Sequence, residues 1–588
     1  MMIIKSILGN IKLTGETGLW QISASSEIPE TGIELIHLRF STSEAAILPQ
    51  ILLEFSTPQI GMHTRWSPQV GLDRCIPQDS KAPVPSSLAS SIPIMQIIDL
   101  EGENRILAAV SDAMRYIKIQ GGVCERTNEI HFSILLFSIP EAPISSCELT
   151  LRLDTRKIFY ADAIRSAMDW YCTFPEYAPV HAPEAAFDPL YSSWYSYHKD
   201  LFDTALEQEC VLGKEYGLKG IIVDDGWQTD DPRDAYAFCG DWKISRTRFK
   251  DMVSHVRKIH DLGMKYILWY AVPLLGEKSK NFERFKHKCL YGRERLRAYI
   301  LDPRFPEVRE FLINTYETAL KEWHIDGFKL DFIDSFRFNG EDPAIKENYA
   351  GRDIRSLPAA IDKLLSDVMA RLRKIKPDIL IEFRQSYIGP AIRKYGNMLR
   401  ALDCAADIYT NRARIIDLRL TSGETAVHSD MLEWHNEESP EEAALQFLNI
   451  LFSVPQISVR LAEIPESHRK MLRFWLDFWM KHRDVLLHGY LKPYHPEINY
   501  PVVSAENEEE KIIAAYLSDH CIDVECAPGK NCYAVNASGR AELILELKSK
   551  PVSAELFDTF GNSVPCNELG AGFIRVPVPA SGLLKMKF

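Results

Sequence analysis

The spacing of hydrophobic residues changes twice along the chain, near residue 175 and near residue 490. Before the first change, apolar residues form short β-branched runs such as IELIHLRF (33–40) and IHFSILLFSI (130–139), separated by Pro, Gly, Ser and Asn. Runs of this kind are typical of strands. After the second change the pattern returns, as in AELILEL (541–547). The pattern therefore predicts an N-terminal β-sandwich over residues 1–175 and a smaller C-terminal β-sandwich over residues 491–588.

The segment between them, residues 176–490, alternates helical patterns with short apolar runs. DTALEQECVLGKEYGL (203–218) and EVREFLINTYETALKEW (307–323) have the spacing of amphipathic helices. The apolar runs are PLYSSWYS (189–196), KGIIVDD (219–225), MKYILWY (264–270), GFKLDFI (327–333), DILIEF (378–383), LDCAAD (402–407), TAVHSD (425–430) and SVPQIS (453–458). Parallel strands buried on both faces have this character. The eight strand–helix units predict a central (β/α)8 TIM barrel, flanked by the two sandwiches in a multidomain chain.

The amino-acid composition argues against some classes of binding partner. The chain has 588 residues, of which 46% are hydrophobic and 25% charged, as in ordinary globular proteins. Asp and Glu number 81 against 68 Lys and Arg, which gives a formal net charge of -13. Because a phosphate-binding face needs a basic surplus, we do not expect nucleic acid as a partner. No polybasic segment favours anionic lipid either.

The sequence also lacks the usual signs of export. The apolar run MMIIKSILGN is interrupted by Lys5 and Asn10, too soon for a signal-peptide core. No apolar stretch reaches about 18 residues, so no membrane partner is expected. The twelve cysteines are scattered without a C-x-x-C pair, which favours reduced thiols and a cytoplasmic location. A monomer and a homo-oligomer both remain open.

Acidic and aromatic residues collect where the predicted barrel strands end, which is where such barrels carry their active sites. The charged and polar residues are Asp224 and Asp225 on the second strand, Lys329 and Asp331 on the fourth, Glu382 and Arg384 on the fifth, Asp407 on the sixth, and His428 and Asp430 on the seventh. The aromatic residues are Trp194, Tyr195, Trp227, Trp269 and Tyr270. Carboxylates that bind hydroxyl groups, beside aromatic faces that cover C–H surfaces, predict a carbohydrate site.

Each of these residues alone also has an ordinary structural explanation. A carboxylate at a strand end often caps a helix, and each tryptophan could simply be a packing residue. Lys329 and Asp331 share one face of their strand and could form an ion pair inside the barrel. Several acids at successive strand ends are harder to explain by packing, because buried unpaired carboxylates are costly. The joint pattern therefore favours a functional site.

Cleavage of a glycosidic bond needs two carboxyl groups, one that attacks or activates water and one that protonates the leaving oxygen. Asp331 is the expected nucleophile, because Lys329 would keep a neighbouring carboxylate ionised. Asp407 is the expected acid/base, because its apolar neighbours would help to raise its pKa. Asp403 and Glu382 are rivals for the acid role, and alternation along the predicted sixth strand places Asp403 deeper in the barrel.

At these residues the chain resembles the α-galactosidases of glycoside hydrolase family 36 and, more distantly, those of family 27. The resemblance runs over about residues 185–490, and the order and spacing of its motifs are more specific than any one of them. The motifs are VDDGW (223–227), GDW (240–242), IHDLGMKYILW (259–269), the nucleophile strand FKLD (328–331) and the acid/base segment AADIYTNRAR (405–414).

The resemblance implies a retaining double displacement that releases terminal α-linked galactose from oligosaccharides such as melibiose or raffinose. Asp331 would form the glycosyl-enzyme, and Asp407 would act first as acid and then as base. The implied sugar contacts are Asp224 and Asp225 with O4 and O6, Trp227 beside them, Lys329 with O3 or O4, and Trp269 along the apolar side. Trp194 is a further candidate for sugar contact on the aromatic rim. Neither a metal nor an organic cofactor is implied.

Three segments depart from the family pattern. EFRQSYIGP (382–390) replaces the Cys- and Gly-rich segment that contacts the sugar O2. Arg384 is therefore expected to approach the C2 side of the sugar or to pair with a neighbouring acid. WYAVPLLG (269–276) lacks the glutamate of the family's W-x-x-P-E, and AVHSDMLEWH (426–435) matches the strand-seven region only loosely. An α-N-acetylgalactosaminidase and a raffinose-type transglycosylase therefore remain alternatives.

Two other classes of protein also remain open. A non-catalytic sugar-binding protein is disfavoured because both Asp331 and Asp407 are present. A metal-dependent barrel hydrolase would use His428, Asp430 and His435 as ligands, but no second histidine pair lies at a predicted strand end.

Overall fold

The computed structural model describes residues 1–69, 71–81, 83–231, 233 and 235–588. Over these residues, a barrel of eight parallel strands follows two six-stranded sheets and precedes sheets of seven and three strands. The fold class that the sequence predicts, a TIM barrel between two β-sandwich regions, is confirmed. The domain limits at residues 175 and 490 remain a prediction.

The N-terminal region packs two antiparallel sheets face to face. Their strand orders are β1-β2-β5-β11-β10-β7 and β3-β4-β12-β9-β8-β6, with bounds β1 Met2–Ser6, β2 Gly9–Thr14, β3 Gln21–Glu30, β4 Ile33–Ala46, β5 Ile51–Pro58, β6 Met62–Trp66, β7 Val84–Ser86, β8 Ile94–Asp99, β9 Asn104–Val110, β10 Ile117–Cys124, β11 Glu129–Leu136 and β12 Ile144–Asp154. Buried and half-buried residues alternate along β11, so that Phe132 and Ile134 enter the core between the sheets. The period of two seen in the sequence is the period of this core.

The barrel region contains the next eleven described strands. They are β13 Leu190–Ser192, β14 Gly220–Val223, β15 Lys265–Ala271, β16 Leu274–Gly276, β17 Cys289–Arg293, β18 Ala298–Leu301, β19 Gly327–Asp331, β20 Leu380–Arg384, β21 Met398–Arg400, β22 Ala426–His428 and β23 Gln456–Ile457. Strands β16, β17 and β18 form a small antiparallel sheet, and the other eight form the barrel. Strand β13 pairs with both β14 and β23, and the amide of Val454 donates to the carbonyl of Val427 at 2.8 Å, which brings β22 next to β23.

Helices cover the outside of the barrel and join it to its neighbours. Those in the described ranges are α1 Tyr160–Cys172, α2 Ser193–Tyr197, α3 Asp203–Glu215, α4 Met252–Asp261, α5 Phe282–Phe285, α6 Pro306–Trp323, α7 Pro343–Lys346, α8 Leu357–Ile375, α9 Ile408–Thr421, α10 Pro440–Leu448 and α11 Glu466–His488, with short 3-10 turns at Pro175–Tyr177, Glu184–Phe187, Glu294–Leu296, Ile333–Ser335, Ile392–Lys394 and Pro496–Ile498. Several begin where capping predicts, as α8 does at Ser356, whose hydroxyl accepts from the Ala359 amide. None of the helices in these ranges is long and apolar enough to cross a membrane.

The sixth barrel strand does not lie where the sequence predicts it. The predicted run was LDCAAD (402–407), but the strand is Met398–Arg400 and residues 401–407 form a loop that ends at the cap of α9. Only three residues of this strand pair with each neighbouring strand. The strand therefore contributes only a short apolar run to the sequence pattern. The other seven predicted runs overlap their strands.

The C-terminal region is again a pair of sheets around an apolar core. Their orders are β24-β25-β26-β28-β33-β30-β31 and β27-β29-β32, with bounds β24 Tyr490–Tyr494, β25 Val502–Glu506, β26 Glu510–Ala515, β27 Cys521–Val524, β28 Asn531–Asn536, β29 Leu543–Leu547, β30 Ser553–Phe557, β31 Ser563–Val564, β32 Gly572–Val576 and β33 Leu583–Lys587. Leu545 and Met586 are among the fully buried residues of this core. All twelve cysteines of the chain carry free thiols.

A buried charged cluster joins the three regions. Arg74 of the N-terminal region binds both carboxylate oxygens of Asp417 on α9, with Nη2 at 2.9 Å from Oδ2 and Nη1 at 3.2 Å from Oδ1. The Trp66 indole and the Tyr500 hydroxyl of the C-terminal region also donate to this carboxylate, at 3.0 and 2.6 Å. Arg74 is 2% exposed and Asp417 6% exposed, so neither charge has water as a substitute partner.

We predict that Arg74→Met destabilises the protein by about 3–5 kcal/mol, because it leaves the Asp417 carboxylate buried without its cation. The control is Arg39→Met, which breaks an exposed pair with Glu148 and should cost no more than about 1 kcal/mol. Urea unfolding followed by tryptophan fluorescence measures both. The double variant Arg74→Met/Asp417→Leu should recover much of the loss. Equal effects of Arg74→Met and Arg39→Met would show that the cluster does not hold the regions together.

Candidate active site

Asp331 is the last residue of β19 and lies at the carboxyl end of the barrel. Four donors surround its carboxylate: the Arg384 Nε at 2.7 Å, the Phe332 amide at 2.7 Å and the Tyr387 hydroxyl at 3.0 Å bind Oδ1, and the Trp269 indole at 3.0 Å binds Oδ2. The residue is 8% exposed. The carboxylate is thus held in one orientation with a narrow opening to solvent.

The charges around Asp331 keep its carboxyl ionised. Burial alone would raise the pKa of Asp331, but the cations of Arg384 and Lys329 and the Trp269 indole hold it well below its ordinary value. The ionised form is the one that can attack an electrophilic carbon or stabilise positive charge.

Asp224 and Asp225 directly follow β14, the second barrel strand, and are bound by different lysines. The Lys329 ammonium lies 2.6 Å from Asp224 Oδ2, and the Lys199 ammonium lies 3.0 Å from Asp225 Oδ2. Gln228 also donates to Asp225 Oδ1, at 2.6 Å. Burial raises the pKa of Asp225. This buried cluster contains two carboxylates and two ammonium groups. It can therefore accept hydrogen bonds from several hydroxyls of one small polar ligand and donate hydrogen bonds to others.

The predicted aromatic residues occupy different depths. Trp227 is fully buried, stacks on Trp242 with ring centroids 6.2 Å apart and donates its indole N–H to the Trp269 carbonyl at 2.9 Å. It therefore supports Trp269 from behind and has no exposed face for a sugar in this structure. Trp269 is 1% exposed but reaches Asp331 directly. Trp194 is half-buried on α2, with its ring 5.1 Å from that of His198.

Arg384 at the end of β20 pairs with a neighbouring acid, and that acid is Asp331 itself. Its Nη1 also donates to the Gln385 carbonyl at 2.8 Å. The Gln385 side chain accepts from the Leu402 amide at 3.0 Å, which ties the fifth strand to the loop that follows the sixth. Of the two contacts expected for Arg384, the structure shows the pairing with a neighbouring acid.

Arg400 is a central residue that sequence reasoning missed. Its guanidinium binds Asp430, lies 2.7 Å from Asp403 Oδ1 and lies 3.7 Å from Glu382 Oε1. Tyr195 donates to the second oxygen of Asp430 at 2.8 Å. The sequence feature that could have located Arg400 at a strand end is the apolar pair Met398 and Leu399 before it. The longer run LDCAAD (402–407) after it resembles a strand more strongly. Tyr387 and Lys199 were also missed, because each follows a strand end by several residues.

The two candidate acids of the 401–407 loop differ in their surroundings. Asp403 is half-exposed, with 50% of its side chain accessible, so the expectation that it lies deeper in the barrel is wrong, because strand alternation does not apply to a loop. Burial raises its pKa, but Arg400 and Lys329 lower it more, so that the pKa of Asp403 lies below its ordinary value. Asp407 is exposed and caps α9, where Thr410 donates its amide at 3.0 Å and its hydroxyl at 2.5 Å.

Glu382 and His428 lie inside the barrel, below the mouth. Gln456 donates to Glu382 at 2.5 Å and lies 3.2 Å from His428 Nδ1, while His428 Nε2 lies 2.8 Å from the Ala186 carbonyl. Burial raises the pKa of Glu382 and lowers that of His428 to about 4. His428 is therefore neutral and fully bonded. His435 is exposed, and no group of three or more possible metal ligands occurs among the described residues.

The chain is similar to known proteins over part of its sequence. A family model described as Melibiase matches residues 187–390. The α-galactosidase AgaA of Geobacillus stearothermophilus is 23% identical over 150 residues, which are 24% of this chain and 20% of that protein. The matched stretch thus spans about a fifth of the curated relative's length.

The likeness to solved structures extends much further than the likeness in sequence. A crystal structure of a variant of the same AgaA in complex with raffinose superposes with a TM-score of 0.65, at 13% identity, over 97% of this chain and 81% of that chain. TtGalA, the α-galactosidase of Thermus thermophilus in complex with p-nitrophenyl α-D-galactopyranoside, gives a TM-score of 0.52, at 15% identity, over 81% of this chain and 96% of that chain. The resemblance to the α-galactosidases of glycoside hydrolase family 36 is therefore confirmed, with the melibiase match inside the barrel and the shared fold over nearly the whole chain.

Proposed function

We propose that the protein is a retaining, exo-acting glycoside hydrolase that releases terminal α-linked galactose from oligosaccharides such as melibiose or raffinose. The observation that carries this proposal is the Asp331 carboxylate, which is held by four donors. It lies two residues along the strand from Lys329, which binds Asp224. The melibiase match supports the hydrolase class. The raffinose and nitrophenyl galactoside bound to the structural neighbours support the substrate class.

In this mechanism Asp331 attacks the anomeric carbon and forms a glycosyl-enzyme that water then hydrolyses. The lowered pKa of Asp331 keeps its carboxylate ionised, and so able to attack, at neutral pH. Asp224, Asp225 and Lys329 would bind the hydroxyls of the galactose unit, as the family resemblance implies. These three residues are at most 4% exposed, which suits a closed pocket for one terminal sugar.

For the acid/base, we propose Asp403 in place of the Asp407 that the motif predicts. The charges of Asp331 and Lys329 act on the Asp403 carboxyl, whereas Asp407 caps α9, where each of its oxygens accepts one hydrogen bond from Thr410. The Asp331 charge raises the pKa of Asp403, against the cations of Arg400 and Lys329, which lower it more. When Asp331 becomes an ester this charge disappears, so the pKa of Asp403 falls as its role changes from acid to base.

We predict that the wild-type protein cleaves nitrophenyl α-galactoside at least about tenfold faster than the α-glucoside, the β-galactoside or the α-N-acetylgalactosaminide, a difference of about 1.4 kcal/mol in transition-state energy. Asp331→Asn should retain less than a few per cent of the activity. We choose asparagine because its side chain has the same shape as the aspartate that four donors contact, so that the variant loses the charge and the nucleophile with little change in packing. Asp523→Asn, at an exposed residue of the C-terminal region, is the matched control.

The substrate proposal fails if no α-galactoside is cleaved while another glycoside is cleaved well. Preference for the acetamido sugar would identify the protein as an α-N-acetylgalactosaminidase. A predominance of transfer products over free galactose, measured with raffinose, would identify a transglycosylase. Wild-type activity of Asp331→Asn would exclude Asp331 as the nucleophile.

Azide rescue identifies the acid/base. Removal of the acid should hardly slow the first step with a nitrophenyl leaving group, but should slow raffinose cleavage at least about 100-fold, because a sugar alcohol needs the proton. The second step loses its base, so azide should restore turnover and yield an α-galactosyl azide. We expect this behaviour in Asp403→Ala.

Asp407→Ala and Glu382→Gln serve as the comparisons. Asp407→Ala should weaken the cap of α9 by about 1 kcal/mol and leave the sensitivity to the leaving group unchanged. Product analysis and initial rates with and without azide distinguish the three variants. Rescue of Asp407→Ala alone would return the acid role to the residue that the motif predicts, and rescue of Glu382→Gln alone would move it to the fifth strand.

A further inference from the structure

The two oxygens of the Asp331 carboxylate are bonded unequally. Oδ1 accepts from Arg384 Nε, the Tyr387 hydroxyl and the Phe332 amide, at 2.7, 3.0 and 2.7 Å. Oδ2 accepts from the Trp269 indole alone among the described residues, at 3.0 Å. A carboxylate oxygen has about two lone-pair sites. Oδ1 is therefore saturated, and Oδ2 retains a free electron pair.

We infer that Arg384 and Tyr387 are positioning residues that fix Oδ1 and leave Oδ2 as the atom that attacks the sugar. This inference rests on the proposed hydrolase function and adds to it two residues outside the motifs of the resemblance. It also accounts for the departure of the strand-five segment from the family pattern. Arg384 acts on the nucleophile, and contact with the C2 side of the sugar is not its role.

Arg384 is itself mounted rigidly. Its Nη1 is bound to the Gln385 carbonyl at 2.8 Å, and its guanidinium lies 5.7 Å from the Phe332 ring centroid and 5.5 Å from that of Tyr387. Its side chain is 12% exposed. Tyr387 is fully buried. A group held by a carboxylate, a carbonyl and two aromatic rings cannot turn towards a sugar hydroxyl without breaking these contacts.

The position of Arg384 has a consequence for each chemical step. In the first step an electron pair of Oδ2 forms the bond to the anomeric carbon, the bond to the leaving oxygen breaks, and the acid/base carboxyl gives that oxygen its proton. In the second step water forms the new bond, its proton returns to the acid/base carboxylate, and the pair of the C–Oδ2 bond returns to Asp331. A cation on Oδ1 makes the carboxylate less basic, so it slows attack and speeds departure.

Arg384 acts within a larger set of charges around Asp331. Those of the described residues that face it from the neighbouring elements are the cations Lys329, Arg384 and Arg400, the carboxylates Asp334 and Asp403, and the phenols Tyr236 and Tyr387. Arg384 is the cation in direct contact with the carboxylate. Its removal should therefore change the titration of Asp331 more than removal of any other single charge.

The test compares Arg384→Met, Arg384→Lys and Tyr387→Phe with the wild type on nitrophenyl α-galactoside. The control is Arg371→Met on α8, whose guanidinium pairs with Glu310 of α6. In Arg384→Met the departure of Asp331 becomes the slow step. Stopped-flow measurements should then show a burst of nitrophenolate equal to the enzyme concentration, which the wild type lacks. kcat should fall at least tenfold, with a smaller change in KM. Arg384→Lys should recover part of this loss, because it restores the charge.

The pH profile gives a second, independent readout. Asp331 must be ionised to attack, and loss of the Arg384 cation raises its pKa. The acidic limb of kcat/KM should therefore move to higher pH by at least one unit in Arg384→Met and by less in Tyr387→Phe. Arg371→Met should keep the wild-type profile.

The inference is overturned if Arg384→Met shows no burst and an unchanged acidic limb, or if it raises KM alone, as loss of a sugar contact would. If Arg384→Met does not fold, the same criteria apply to Arg384→Lys and Tyr387→Phe. If the wild type cleaves no glycoside, the proposed function fails, and the positioning role is decided by ¹³C NMR titration of labelled aspartate carboxyls. The resonance absent from Asp331→Asn should titrate at least one pH unit higher in Arg384→Met, and an unchanged titration would exclude the role.

Discussion

Every carboxylate buried at the mouth of the barrel needs a cation or several donors, because an unpaired charge is costly to bury. The close pairs are Asp331 with Arg384, Asp224 with Lys329, Asp225 with Lys199, and Asp430 and Asp403 with Arg400. In most of these pairs the two partners come from different strands or loops. The pairs therefore fix the positions of the side chains at the rim of the barrel and also balance their charges. A substitution at one member of a pair changes the position of an acid on another strand.

The same constraint explains which parts of the site could be predicted from the sequence. Asp224 and Asp225 come directly after the run KGIIV, and Asp331 ends the run GFKL, so the periodicity that locates the strand also locates the acid. These strands are buried on both faces, which makes their apolar runs continuous and their ends clear. The barrel and its flanking sheets could be predicted for the same reason.

The partners of these acids could not be predicted in the same way. Lys199 lies in the turn after α2, and Arg400 ends a strand of three residues whose apolar signal is weaker than that of the loop after it. Which cation meets which acid depends on the register between strands, as when Arg384 and Arg400 lie side by side on β20 and β21. The loop from 401 to 407 resembles a strand in composition, but its two aspartates serve as an arginine partner and a helix cap.

The buried cluster around Asp417 also bears on how the chain can be divided. Asp417 is on α9, the helix that starts directly after the loop carrying both candidate acids, and its partners Arg74 and Tyr500 come from the two flanking regions. A barrel cut out as a fragment would keep every strand of the active site but would expose a charged helix with none of these partners. The flanking sheets thus supply the buried partners of α9, the helix next to the loop with the candidate acids. A chimera that replaces these sheets with those of another protein must therefore also replace the residues of α9 that contact them.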